Sequence, residues 1–300
     1  MKKAVIEMGT NSTRLLIANI EEDKVEEIAK KLITTRLGEG VDSNRILSDK
    51  AIKRGLNGLK ELKDIIQKEN VQEIKLIGTS ALRDVENSEV FKKMIKDKLD
   101  FNLEIVSGER EANLIFKGVT LDFNFNNYII VDIGGGSTEF IWQNKKDEDI
   151  NLKSIDIGAV RITDRFIDNV NTPLSRSNVE KISIYIRNTL KENIDISPDI
   201  NNLIGVGGTI TTLASIMLKL ESYDSKAIHN YILKYSDINK IMNILRKLDL
   251  NMKKKVKGLN PDRADIIVPG TIILIEVMKY LRNLKLRVSD YDILHGMLLD

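Results

Sequence analysis

One short pattern occurs twice in this chain and limits its fold more than any other feature. AVIEMGTNSTRLLI at 4–17 matches IIVDIGGGSTEFI at 129–141. In each, an apolar run reaches an acid (Glu7 or Asp132), one apolar residue follows, and Gly-x-x-Ser-Thr opens a loop (Gly9–Thr13 and Gly134–Thr138). LIGVGGTITTLASI at 203–216 keeps half of the pattern: an apolar run enters Gly-Gly-Thr without the acid, and a helix-like stretch follows. Two matching strand-to-loop units in successive halves predict a duplicated chain.

The loop chemistry favours phosphate. Glycines let backbone N–H groups approach an anion closely, and successive N–H groups in such a turn form an anion-binding concavity. The expected donors are Asn11 and Ser12 in the first loop, Gly134, Gly135, Gly136 and Ser137 in the second, and Gly207, Gly208 and Thr209 in the third. A carboxylate beside such a concavity repels phosphate unless a cation lies between them. Mg²⁺, held by one or two carboxylates plus substrate oxygens, meets that need. Asp132 is the first choice of ligand, with Glu7 and Glu139 as further candidates. GGGST is not a Walker A loop, because no Gly-Lys-Ser/Thr follows, and it lacks the G-x-G-x-x-G of a dinucleotide fold.

Short apolar runs bounded by Gly, Asn or Asp alternate with amphipathic stretches, which predicts an α/β protein. DKAIKRGLNGLKELKDIIQKEN sets Ile52, Leu56, Leu59, Leu62 and Ile66 at helical spacing. Asn178 and Ser236 are expected helix caps. Three hundred residues suggest two domains. LDFNFNN at 121–127 is the expected hinge, giving domains 1–125 and 126–300. A net charge of +2 provides no global field for nucleic acid or membrane, and the lysine-rich KKKVK at 253–257 reads as a solvated helix end or loop in preference to an anion-steering patch. The absence of cysteine rules out thiolate nucleophiles and Cys-ligated zinc, and fits a reducing compartment. Two histidines, His229 and His295, are too few for a His-rich metal site, so a carboxylate is the expected acid or base. The N-terminal apolar stretch is too short for a signal peptide and no run reaches the ~20 apolar residues that span a bilayer, so a cytoplasmic protein is expected.

These residues resemble those of the exopolyphosphatase and guanosine pentaphosphate phosphohydrolase family. It belongs to the superfamily of actin, sugar kinases and heat-shock ATPases. The matching segments are GTNSTRLL (9–16), GTSALRD (78–84), SGEREANLIFKGV (107–119), VDIGGGSTEF (131–140), IGVGGTITTLA (204–214), RADIIVPG (263–270) and LRVSDYDILHG (286–296). They follow the family's order over nearly the whole chain. The resemblance implies two ribonuclease-H-like (actin-like ATPase) domains, each a mixed sheet flanked by helices, with the active site in the cleft between them.

On the residues alone, Glu109 and Glu111 of SGEREA fall in the first turn of a helix, where acids commonly complement the helix dipole. The resemblance assigns the catalytic glutamate to Glu111, with Glu109 as second choice, and makes Arg83 a phosphate-holding residue. It also implies Mg²⁺-dependent removal of terminal phosphate from inorganic polyphosphate by a homodimer. Guanosine pentaphosphate is the alternative substrate. A kinase or ATPase using the same cleft is a second class of reading. A non-catalytic sensor of polyphosphate or alarmone is a third, kept open because the family normally has aspartate where this chain has Glu7. The family more often has an acid at the position of His295.

Overall fold

The computed structural model describes residues 1–21, 24–123, 127–143, 150–196 and 202–300. The described chain divides into two compact units, Met1–Leu121 with Asp292–Asp300, and Asp122–Tyr291. The expected boundary after residue 125, and part of the expected hinge, lie outside the described residues. The last nine residues of the chain join the first unit.

The first unit runs β1 (Lys2–Met8), β2 (Thr13–Glu21), β3 (Lys24–Ile33), α1 (Val41–Asn44), α2 (Asp49–Lys68), β4 (Glu73–Gly78), α3 (Ser80–Arg83), α4 (Ser88–Leu99), β5 (Leu103–Ile105) and α5 (Gly108–Val119). The second runs β6 (Tyr128–Ile133), β7 (Thr138–Gln143), β8 (Ile150–Ile155), α6 (Ala159–Phe166), α7 (Arg176–Asn193), β9 (Asn202–Val206), α8 (Gly208–Leu218), α9 (Ser225–Ile228), β10 (Ile232–Lys234), α10 (Tyr235–Leu245), α11 (Leu250–Lys253), α12 (Ile267–Tyr280) and β11 (Lys285–Val288). The closing helix, α13 (Ile293–Leu299), belongs to the first unit.

Both sheets follow one plan. The first has the order β3-β2-β1-β4-β5, with β1–β2 and β2–β3 antiparallel and β1–β4 and β4–β5 parallel. In the second, β8-β7-β6-β9-β11 repeats that order and those directions, and β10 is added antiparallel at the β11 edge. The duplicated sequence pattern is therefore a duplicated sheet topology. In each sheet a central strand enters its glycine loop and the chain returns as the next strand.

Hydrophobic burial holds each unit together. Leu59, Leu62 and Ile66 sit on one stripe of α2 and pack with Ile6, Leu15 and Ile17 of the sheet. The opposite face carries α13, which packs on β1, β2 and α5. In the second unit α12 is apolar nearly all round, the pattern of a buried helix, and contacts α6, α7, α8 and α10. No helix among the described residues is long and apolar enough to cross a membrane.

Two expected caps are corrected. Ser175 caps α7 by accepting a bond from the Asn178 N–H, so Asn178 is inside the helix. Lys234, without a side-chain bond, occupies the N-cap of α10, and Ser236 lies in its first turn. A polar residue near a helix start does not reveal from sequence alone which residue retains extended backbone and becomes the cap.

Candidate active site

The two Gly-x-x-Ser loops close in the same way. The Gly9 N–H donates to the Ser12 carbonyl at 2.9 Å, and the Gly134 N–H donates to the Ser137 carbonyl at 3.0 Å. In the second unit, the N terminus of α6 supports the loop. The Gly134 carbonyl accepts from Ala159 N–H at 2.9 Å, Gly135 from Val160 N–H at 2.8 Å, and Gly136 from Arg161 Nε at 2.8 Å. In a planar trans peptide the N–H points opposite to the C=O. The N–H groups of Gly135, Gly136 and Ser137 are thereby directed away from α6, as a donor row for an anion. Gly158 makes the support possible, since a Cβ there would collide with the Gly135–Gly136 backbone.

The first loop uses a different support. The Thr10 carbonyl accepts from Gly38 N–H and the Asn11 carbonyl from Arg36 N–H, each at 2.9 Å. The N–H groups of Asn11 and Ser12 then point the other way. Asn11 is buried, and its Nδ2 has no hydrogen-bond partner. A buried donor left unpaired costs free energy. An anion in this loop would satisfy it.

In the third loop, Gly207 has φ 86° and caps α8, whose N terminus begins at Gly208. The Asp132 carboxylate lies against Gly207, and the Arg263 guanidinium lies against Gly208; either glycine's Cβ would collide with them. Thr209 is buried in the first turn of α8. Asp132, Gly134–Ser137, Gly207 and Gly208 thus share one end of the second sheet, through the β6–β9 pairing.

The acids differ in environment. Asp132 and Glu139 are directly opposed across the antiparallel β6–β7 pair, hence on one face, and Glu139 is only 1% exposed. Glu139 Oε1 accepts from the Ser154 hydroxyl at 2.8 Å. At the equivalent positions of the first unit, Glu7 opposes Arg14. The Arg14 guanidinium bonds Glu7 Oε2, through Nε at 2.6 Å and through Nη2, and its Nη1 bonds Asp292. Two buried acids oppose each other in one unit, and an ion pair occupies the same place in the other. Among the described residues, no three His, Cys, Asp or Glu side chains gather as a metal cluster.

Arg83 and Glu111 come together within the first unit. Ser107 caps α5 through its hydroxyl, which accepts from Arg110 N–H, and Glu111 follows one turn into the helix. Glu111 is 7% exposed, whereas Glu109 points to solvent. Arg83 Nη1 donates to Glu111 Oε2 at 3.1 Å and to the Val106 carbonyl at 3.0 Å. The arginine compensates a carboxylate that would be costly to bury alone. His229 has a packing role: it stacks on Phe123 and bonds Asp122 through Nε2 at 2.7 Å.

Sequence reasoning did not assign Arg14, Asp292, Arg161 or Arg263. Arg14 and Arg263 lie inside quoted motifs, so position relative to the loops was an available signal. Asp292 also lies in a matching segment, LRVSDYDILHG, but its partner is 278 residues away, so no local signal joined the two.

Repeated sheets with paired glycine loops define a protein of two actin-like domains. Residues 16–300 match the model of the Ppx/GppA phosphatase family, and the chain belongs to that family. It is 39% identical to a bifunctional 3-dehydroquinate synthase/phosphatase of Fusobacterium nucleatum, over 99% of this chain and 46% of that protein. It is 30% identical to exopolyphosphatase 2 of Mycobacterium tuberculosis, over 99% of this chain and 97% of that one. A guanosine-5'-triphosphate,3'-diphosphate pyrophosphatase of Vibrio parahaemolyticus is 29% identical over 93% of this chain and 54% of its own length. The chain thus spans about half the length of the first and third relatives and nearly all of the second. A crystal structure of an exopolyphosphatase from Cytophaga hutchinsonii superposes with a TM-score of 0.90 at 29% identity, covering 100% of this chain and 97% of that one.

Proposed function

We propose that the chain is an exopolyphosphatase, releasing terminal phosphate from inorganic polyphosphate. Asn11 carries the reading: its buried, unpartnered Nδ2 sits in a loop whose N–H groups are turned outward, a donor set that suits phosphate oxygens. The similarity to exopolyphosphatases over whole chains supports the same substrate class.

In this reading Glu111 accepts a proton from the attacking water as the new P–O bond forms at the terminal phosphorus. The bridging P–O bond breaks and the shortened chain leaves with the electron pair. Arg83 holds Glu111 in place and presents its remaining N–H groups to phosphate oxygens. Asn11, Ser12, Gly134–Ser137 and Gly207–Thr209 bind the nonreacting oxygens and offset the charge of the transferred group, so positioning and electrostatics carry the rate.

Asp132 and Glu139 fit Mg²⁺, since two opposed buried carboxylates call for a cation. Glu7 stands apart from that set, because Arg14 already offsets its charge. When bound, Mg²⁺ would neutralise phosphate oxygens and leaving-group charge. The same reading includes a homodimer and a cytoplasmic location, which sedimentation and cell fractionation test.

Phosphate release from long polyphosphate, guanosine pentaphosphate and ATP, each with and without Mg²⁺, tests the assignment. Faster release from guanosine pentaphosphate moves the chain to the alternative substrate. Binding without turnover of any of the three makes it a sensor.

A further inference from the structure

Glu7 is the buried end of a polar chain that runs through Arg14, Asp292 and His295 to the exposed Glu27 on the edge strand of the first sheet. Arg14 bridges Glu7 and Asp292. Asp292 caps α13, its Oδ1 accepting from Leu294 N–H at 3.0 Å. His295, fully buried one turn on, completes the capping box: its Nδ1 accepts from Asp292 N–H at 3.2 Å, and its Nε2 lies 2.9 Å from Glu27 Oε1 on β3. With Nδ1 accepting, the ring is neutral and donates from Nε2 to Glu27. A proton added at Nδ1 would lose that acceptor role and face Asp292 Oδ1, 3.6 Å away.

We propose that Asp292 and His295 are positioning residues of the first phosphate loop, holding the Arg14 guanidinium on Glu7 so that this carboxylate is ion-paired where the loop before β2 receives an anion. Glu7 lies at the root of that loop, its Oε1 3.3 Å from where a Cβ on Gly9 would stand. An Arg14 that left Glu7 would weaken the compensation of that carboxylate beside an incoming phosphate.

Protonated His295 competes with Arg14 for Asp292, which gives the positioning a pH response. Burial disfavours the charged ring, but bonds to Asp292 and Glu27 outweigh it and raise the His295 pKa above 6.5. The other charged groups near α13 are accounted for. Lys30 on β3 opposes protonation, Lys3 on β1 donates to the Leu298 carbonyl, and Arg110 and Lys117 on α5 bond Asp300. Glu111, also on α5, bonds Arg83.

The role rests on the phosphohydrolase reading in its kinetic arm only. The test follows the Arg14 Nε–H resonance, assigned with Arg14→Lys, through a pH titration of the full chain, alongside kcat/KM for polyphosphate. His295→Gln removes the titrating ring yet retains a residue type that completes a capping box. Expected in the wild type is one midpoint above pH 6.5 at which the Arg14 resonance moves and kcat/KM falls ~3-fold or more on acidification, with neither step in His295→Gln. Asp292→Asn should shift the Arg14 resonance at all pH values. An identical step in His295→Gln, or an Arg14 resonance unmoved by Asp292→Asn, overturns the proposal. Absence of phosphate release from the wild type at every pH would sink the hydrolase reading, while the Arg14 resonance still decides the positioning role.

Discussion

Asp132 on β6 and Glu139 on β7 are directly opposed, two buried carboxylates on one face of the second sheet. In the first sheet the equivalent pair is Glu7 and Arg14, joined as an ion pair. The duplication thus preserved the loop and diverged in charge: the strand acid opposes an arginine in one unit and a second acid in the other.

Mg²⁺ should therefore stabilise the protein through the second unit. Without metal, Glu139→Gln is expected to be neutral or stabilising by ~0.5 kcal/mol, because like charges opposed across strands repel. The variant should need at least ~10-fold more Mg²⁺ for half-maximal rate. Melting curves and rate titrations against Mg²⁺ check both.

Gly158→Ala should disable the second loop without touching substrate. The added Cβ meets the Gly135–Gly136 backbone, and displacing the donor row by ~1 Å costs ~100-fold in rate. A steady-state measurement on a variant shown to be folded by circular dichroism tests this.

Asp292→Asn should destabilise the first unit at neutral pH by ~3 kcal/mol, since it breaks a buried pair and leaves Arg14 with less compensation. Burial opposes ionisation of Asp292, but Arg14 and His295 hold its carboxyl well below the usual range. A depressed carboxyl contributes stability that is present above its unfolded value of 3.8 and is lost as pH falls below it. The difference between wild type and variant, read from denaturant unfolding, should shrink as pH falls below about 4.

Glu7→Asp separates the enzyme from the sensor. The shorter side chain draws the carboxylate away from Arg14, so an enzyme should lose rate or keep it. Turnover gained by Glu7→Asp, where the wild type binds but does not hydrolyse, would favour the sensor. Phosphate release by both proteins decides.

The repeated strand and loop were legible because their signals are local: an apolar run, an acid and small residues within about a dozen positions of one another. The topology followed, since each copy of the motif begins an equivalent sheet. The burial of Glu111 was not legible, because Glu109 and Glu111 occupy the same first turn and only packing makes one of them face inward. The Arg14–Asp292 bond was beyond reach for a different reason: it depends on α13 returning to the first unit. Arg161 was hidden likewise, since its role depends on β8 bringing Gly158 against the glycine loop.

The central claim is that Glu111 removes a proton from the attacking water. The most direct measurement is single-turnover phosphate release from polyphosphate by Glu111→Gln, with binding measured on the same protein. A loss of ~100- to 10,000-fold in the chemical step, with polyphosphate affinity retained, is the expected result. Phosphate release at the wild-type rate would contradict the account.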